Sequence, residues 1–433
     1  MTKKKLFQIV NVAVFLMTLT CRTVYAQNDF SKWFADSTLR VDYIRRGCFR
    51  SDEVLLRGYK LQNVQWAGST TQLADPIDNG AYRIVVTDSA SHRTLYSRGY
   101  STLFNEYRDT PAGLDSVADF EEVAIMPMPR RTVCIELQKR DGNNHFKTAT
   151  TLVYNPYTST TAPFNTVCKP RMLHYSGLPH NKIDIAIVAE GYGKDDSVKM
   201  EKDFTDFKDY ILAQEPFKSR RNDFNIWAVG KLMAESGVSD PRRGVAVESA
   251  VGSSYNTLGN DRYLMTTQLF RLHDLLSGCP YDHVVIMANS KTYGGGAIYN
   301  FYAFSAVQSM SRWILPHELG HSIGGLADEY VDEELTYNSL YRLDIEPVEP
   351  NITTRADFDS KWADLTDDST PVPTPPQRGL GKRECGKVGL YEGAGYRSKG
   401  VYRPCTQCMM KNYADFCPVC RRALNRTFDL YTR

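Results

Sequence analysis

Two of the chain's eight histidines, His317 and His321, stand four residues apart in the segment WILPHELGHSIGGLADEY. On a helix that spacing puts both imidazoles on one face, where their nitrogens can reach a single Zn2+ at about 2 Å. Glu318 lies between them, beside the metal without being forced to ligate it. Zinc lowers the pKa of a bound water to roughly 7, and Glu318 is placed to take that proton. The chemistry on offer is metal-assisted hydrolysis. A helix with two histidines can carry the same short pattern by chance. Three features argue against chance here: the export signal at the N-terminus, the apolar setting of Ile314, Leu315, Leu319 and Ile323, and a carboxylate pair after a Gly-Gly break; Pro316 suits a first helical turn.

The elements that must position these groups follow from periodicity. Ile183, Ile185 and Ile187 mark a strand running into the turn EGYG, after which Asp195 and Asp196 open a helix carrying Phe204, Phe207 and Ile211 on one face. FNIWAV (224–229) and HVVIMAN (from His283) read as further strands, with a helix expected over Arg262 to Leu276. Strands alternating with helices imply an α/β layer. SKTYGGGA, after HVVIMAN, offers Tyr293, Gly294, Gly295 and Gly296 as a place where a substrate backbone can approach closely and pair as an added strand. Before this half, residues 27–175 are patterned as short alternating strands, with Asp141-Gly142 as a hairpin turn, and suggest an immunoglobulin-like β-sandwich. The catalytic half is then 176–433, interrupted by a proline- and glycine-rich insertion around 330–400 whose YEGAGY could line a pocket wall.

With 433 residues and a net charge of +2, the chain has room for two domains and no bias toward nucleic acid. Lys3, Lys4 and Lys5 before an apolar run and TVYAQ read as a signal peptide, residues 1–26, cut after Ala26. Cys21 offers lipid attachment as the second reading, although TLT is a poor lipobox. Either route exports the protein, to the periplasm, the cell surface or the medium, and no segment is long enough to span a membrane. In an oxidising compartment Cys405, Cys408, Cys417 and Cys420 (C-x2-C-x8-C-x2-C) read first as disulfide partners and second as ligands of a structural metal. Nothing indicates an oligomer, so a monomer is expected.

HELGHSIGGLADEY resembles the signature of the IgA-peptidase family of zinc metallopeptidases, which are metzincin-like. The likeness extends through IDIAIVAEGYG, EPF, FNIWAV, ESG, VVIMANSKTYGGGA and CMMKNYADFCPVC. In metzincins the motif continues H-E-x-x-H-x-x-G-x-x-H, the glycine letting the chain leave the helix in a left-handed turn. Gly324 occupies that glycine position, but Ala327, at the third ligand's place, cannot bind metal. Asp328 follows one residue later, with Gly325 supplying extra freedom, and is the first choice of third ligand; Glu329 is the second. The resemblance implies His317, His321 and Asp328 on one zinc ion, Glu318 as base, and Met410 in an apolar methionine turn beneath the metal. Tyr413, just after that turn, is a candidate to stabilise the oxyanion. The function implied is an exported zinc endopeptidase acting on protein or peptide substrates. The competing reading is an exported binding or adhesion protein whose zinc domain has little activity, for which an intact Glu318 would be superfluous.

Overall fold

The computed structural model describes residues 30–62, 64–163, 167–332 and 341–432. The expected signal peptide, with Cys21, lies outside the described residues, as do residues 333–340 of the insertion.

The N-terminal part is built from β1 (Phe34–Cys48), β2 (Ser51–Gln62), β3 (Tyr82–Asp88), β4 (Thr94–Tyr100), β5 (Ala118–Pro129), β6 (Val133–Arg140), β7 (Phe146–Tyr154) and β8 (Thr161–Pro163). They form two four-stranded sheets, ordered β5-β1-β2-β8 and β4-β3-β6-β7. Period-two alternation sends Leu39, Val41 and Tyr43 of one sheet and Ile84, Val86, Ile135 and Leu137 of the other into a shared apolar core. The hairpin expected at Asp141-Gly142 joins β6 to β7, with Arg140 opposite Phe146. Asp141 closes its loop by accepting the Asn143 and His145 amides on Oδ1. Between β4 and β5 a short helix, α1 (Leu103–Tyr107), sends Leu103 and Phe104 into a core of the second part.

The second part is organised by a six-stranded sheet in the order β13-β14-β12-β10-β11-β9, with β9 (Arg171–His174), β10 (Ile183–Glu190), β11 (Phe224–Val229), β12 (His283–Ala288), β13 (Gly295–Ile298) and β14 (Tyr302–Ala306). The four central strands are parallel, and β9 and β13 are antiparallel edges. Every residue of β10 is buried, as a parallel strand covered on both faces requires. Ile183, Ile185 and Ile187 face a core shared with α2 (Ser197–Ala213), while Ala186 and Val188 face the opposite core.

The second expected helix is shorter than its sequence suggests: α3 spans only Leu269–Leu275. Upstream, Thr266 gives its hydroxyl to the Val251 carbonyl and receives the Gln268 amide. That side-chain competition for the backbone is what keeps Thr out of helix interiors.

The two parts are joined through both polar and apolar contacts. Arg40 pairs with Asp274 at 2.7 Å, Glu121 accepts the Phe270 amide in the first turn of α3, and Arg98 donates to the Asp282 carbonyl. Phe104 and Phe120 enter the same apolar core as Ala186 and Leu272.

Candidate active site

The motif helix, α4 (Ser311–Gly324), packs against β14, β13 and α2. Eleven of its fourteen residues are buried, so position in the core rather than amphipathicity defines its orientation. Pro316 is the sixth residue of α4, not part of its first turn as the sequence suggested; the Arg312 carbonyl therefore lacks its usual partner. The helix ends at Gly324, which keeps helical geometry. Gly325 makes the left-handed turn (φ 60°) expected of its predecessor, and its amide bonds the His321 carbonyl. At Gly324, a Cβ would stand 3.1 Å from both Leu326 and Leu424, so close packing explains that glycine.

That turn carries Asp328 back over the helix. Its Oδ1 lies 3.2 Å from His317 Nε2 and 3.4 Å from His321 Nε2, and the two imidazole nitrogens are 3.2 Å apart. Both Nδ1 atoms contact backbone carbonyls, His317 that of Met409 at 3.0 Å and His321 that of Leu326 at 2.6 Å. Such acceptors fix a proton on each Nδ1 and turn each Nε2 lone pair toward Asp328. The other carboxylate oxygen, Oδ2, accepts the Tyr396 hydroxyl, whereas Oδ1 is buried without a hydrogen-bond partner. Two lone pairs and an orphaned anionic oxygen converging at these distances fit a divalent cation.

The charges of the cluster are strongly coupled. Burial opposes ionisation of Asp328, yet the neighbouring His321 and His317 outweigh it and hold the carboxyl well below its usual range. Without metal, burial disfavours a charged His321, but Asp328 and Glu318 raise it to about 9, so a cation must displace the Nε2 proton before that lone pair is free to bind. Glu318 is pushed up by burial, against the pull of His317 and His321. A carboxylate raised in this way is a better proton acceptor near neutral pH than an exposed one.

Glu329, the alternative ligand, faces away from the histidines. Its carboxylate accepts the Asn351 amide at 2.9 Å and the Cys420 thiol at 3.2 Å. The neighbouring carboxylates thus belong to separate clusters, Asp328 with His317 and His321, Glu329 with Cys408, Cys417 and Cys420. Beneath α4, Met410 presses its sulfur against the helix, and a Cβ added at Gly320 would lie 2.5 Å from it. Tyr413 places its ring 5.6 Å from that of His317 and its hydroxyl 2.9 Å from the Tyr293 hydroxyl.

Tyr293, Gly295 and Gly296 border a cleft of about 930 Å³ that contains His317, Glu318, His321 and Asp328. Gly294 does not line it and instead backs onto the Tyr255 ring, which a Cβ would meet at 2.5 Å. Gly295 leaves room for the base: a Cβ there would stand 3.2 Å from Glu318 Oε1. The β13 edge is not wholly free, because the Gly295 amide already donates to the Arg262 carbonyl.

Two groups of cleft residues go beyond the site residues expected from sequence, although the sequence already suggests the YEGAGY segment as a pocket wall. Tyr396 comes from the hairpin of β15 (Tyr391–Ala394) and β16 (Arg397–Arg403), so the YEGAGY segment reaches the site through an oxygen of Asp328. Asn79, Glu106 and Arg140 reach the cleft from the N-terminal part. Glu106 accepts the Tyr263 hydroxyl at 2.5 Å, and burial pushes its carboxyl up to about 7. Nothing in the local sequence around Glu106 marks it, since its role depends on the packing of one domain against the other.

Family models match both parts of the chain. The IgA Peptidase M64 model matches residues 172–386 and 379–428, more than half the chain, and the Peptidase M64 N-terminus model matches residues 29–151. The chain belongs to the IgA peptidase M64 family, a metallopeptidase family, and so is a peptidase with a separate N-terminal domain. No curated protein matches it.

Proposed function

We propose that the protein is an exported, zinc-dependent endopeptidase that hydrolyses peptide bonds in protein substrates, with Glu318 as general base. The observation that carries this reading is the convergence of His317 Nε2, His321 Nε2 and the unpartnered Asp328 Oδ1 within 3.4 Å of one another beside a buried Glu318. His317, His321 and Asp328 would hold the ion, and their three ligand atoms suit zinc with one position left open. When bound, zinc would acidify a water and polarise the scissile carbonyl.

The chain's own residues supply the rest. Glu318 receives a proton on its carboxylate and returns it to the leaving amine, and its raised proton affinity suits both steps. Tyr413 stays a neutral phenol because burial and the Tyr293 hydroxyl disfavour its ionisation, so it can donate to an oxyanion. Tyr293, Gly295 and Gly296 form one bank along which an extended peptide would lie, and Met410 forms the apolar floor. We read residues 27–175 as an immunoglobulin-like sandwich and 176–433 as a metzincin-like catalytic domain, acting as a monomer after removal of residues 1–26.

The test is digestion of an unbiased peptide library by the wild type, by the chelated enzyme and by Glu318→Gln. Zinc content is measured on each. The proposal expects cleavage only by the metal-loaded wild type, with zinc retained in Glu318→Gln. Undiminished cleavage by that variant would end the assignment of the base. Full zinc retention at the histidine site in Asp328→Ala would remove the third ligand.

A further inference from the structure

Behind the candidate active site lies a second group of ligand-type side chains that the hydrolytic chemistry does not use. Cys408, Cys417, Cys420 and Glu329 are each fully buried, and their sulfur and carboxylate oxygen atoms all lie within 4.8 Å of one another. They come from three places in the chain: Glu329 from the loop after α4, Cys408 from the residue before α5 (Met409–Asn412), and Cys417 and Cys420 from the residue before α6 (Pro418–Thr432) and its first turn.

The geometry points to a structural zinc ion held by Cys408, Cys417, Cys420 and Glu329. Four thiolate-type ligands at about 2.3 Å in a tetrahedron stand about 3.8 Å apart along each edge. Cys408 Sγ and Cys420 Sγ are 3.7 Å apart, close to that edge and far beyond the roughly 2.0 Å of a disulfide. Backbone amides point at the sulfurs, Cys417 N to Cys408 Sγ at 3.4 Å and Cys420 N to Cys417 Sγ at 3.5 Å. Amide donors of this kind stabilise thiolates around a metal.

The carboxylate provides a second, independent sign. Glu329 is 0% exposed, and its Oε2 has no hydrogen-bond partner, while Oε1 is fixed by Asn351 and Cys420. A buried carboxylate oxygen left bare is expensive unless a cation meets it. Asn351 is itself clamped to the Ala327 amide and carbonyl, which orients Glu329 as a ligand's supporting group should. Three thiolates and a carboxylate around Zn2+ leave excess negative charge. Arg403, buried with its Nε unpartnered, and Lys411 are the neighbouring cations that offset it. Cys405 interacts with Cys417 but does not join the mutually close set.

This site is independent of the catalytic reading, because it uses none of the histidine-site ligands. The test is zinc stoichiometry on the full chain, purified without added metal or reductant. Two zinc ions per chain are expected for the wild type and one for the His317→Ala/His321→Ala double variant. In the same double variant, replacement of zinc by Co2+ should give a thiolate-to-cobalt charge-transfer band. Adding Glu329→Gln, which can still accept from Asn351, should weaken the remaining zinc tenfold or more. Peptide mapping of the untreated wild type should find Cys408, Cys417 and Cys420 as thiols releasable by chelator. Zinc absent from the double variant, no cobalt–thiolate band, unchanged affinity in the Glu329→Gln variant, or a disulfide within this set would each overturn the site as drawn. Loss of catalysis alone bears only on the histidine site.

Discussion

The hydroxyl of Tyr396 is the sharpest place to test how Asp328 is prepared for metal. It donates to Oδ2 while Oδ1 faces His317 and His321, so Tyr396→Phe removes one oxygen atom from the support and none from the ligand set. Asp328 is 7% exposed, which leaves little water to replace the lost donor. A hydrogen bond to a buried charged group contributes about 1.5–3 kcal/mol, and each 1.4 kcal/mol is about a factor of ten in affinity. Outer-sphere losses around metals span about the same 10- to 100-fold range. Zinc affinity at the histidine site is therefore expected to fall by about 10- to 100-fold in the variant, read by competition with a chromophoric chelator. Tyr391→Phe is the matched control, since Tyr391 lies on the same hairpin but donates to the Lys387 carbonyl. Zinc affinity within twofold of wild type in Tyr396→Phe, or an equal loss in Tyr391→Phe, would refute the claim that Tyr396 pre-orients the ligand.

Three further outcomes are expected. Gly295→Ala pushes a methyl group to 3.2 Å from Glu318 Oε1, so kcat should drop about 10- to 100-fold in steady-state assays while zinc content holds. Gly320→Ala places its methyl 2.5 Å from the Met410 sulfur and 3.1 Å from Phe416; overpacking should exceed the gain in helix propensity and lower stability by about 1–2 kcal/mol in denaturant titration. Glu106 has a folded-state carboxyl raised to about 7 from an unfolded value of 4.5, so the native state binds the extra proton between those values. Stability is then lost as pH rises from about 4.5 to 7, by at most about 3 kcal/mol, and stays lost above it. Glu106→Gln in metal-free protein should accordingly melt higher than wild type at pH 8 and no higher at pH 4, as thermal scans at the two values would record.

The candidate catalytic residues were legible because their signal is local. His317, Glu318 and His321 occupy one helical turn, and Asp328 follows within the reach of a single reversal. The reversal itself was misassigned by one position: spacing pointed to Gly324, whereas packing against Leu424 needs a glycine there and Gly325 has the positive φ. Period-two alternation made β3, β6 and β7 readable, and the buried run Ile183–Glu190 made β10 readable. The segment from Arg262 to Gln268 was misleading because its apolar spacing suits a helix while Thr266 binds the backbone instead. What no local pattern could yield is contact between distant segments. Tyr396 lies 68 residues beyond Asp328, and Glu106 meets a tyrosine 157 residues further on.

The cleft's second bank has a consequence for how this peptidase could diversify. Asn79, Glu106 and Arg140 all fall within the residues matched by the N-terminal family model, while every candidate metal ligand lies in the peptidase match. The two stretches can therefore accumulate changes under separate selection: one constrained by the geometry of an ion, the other only by the fit of a passing chain. Inheritance of a different N-terminal module would alter what is admitted to the cleft while leaving the bond-breaking apparatus as it was.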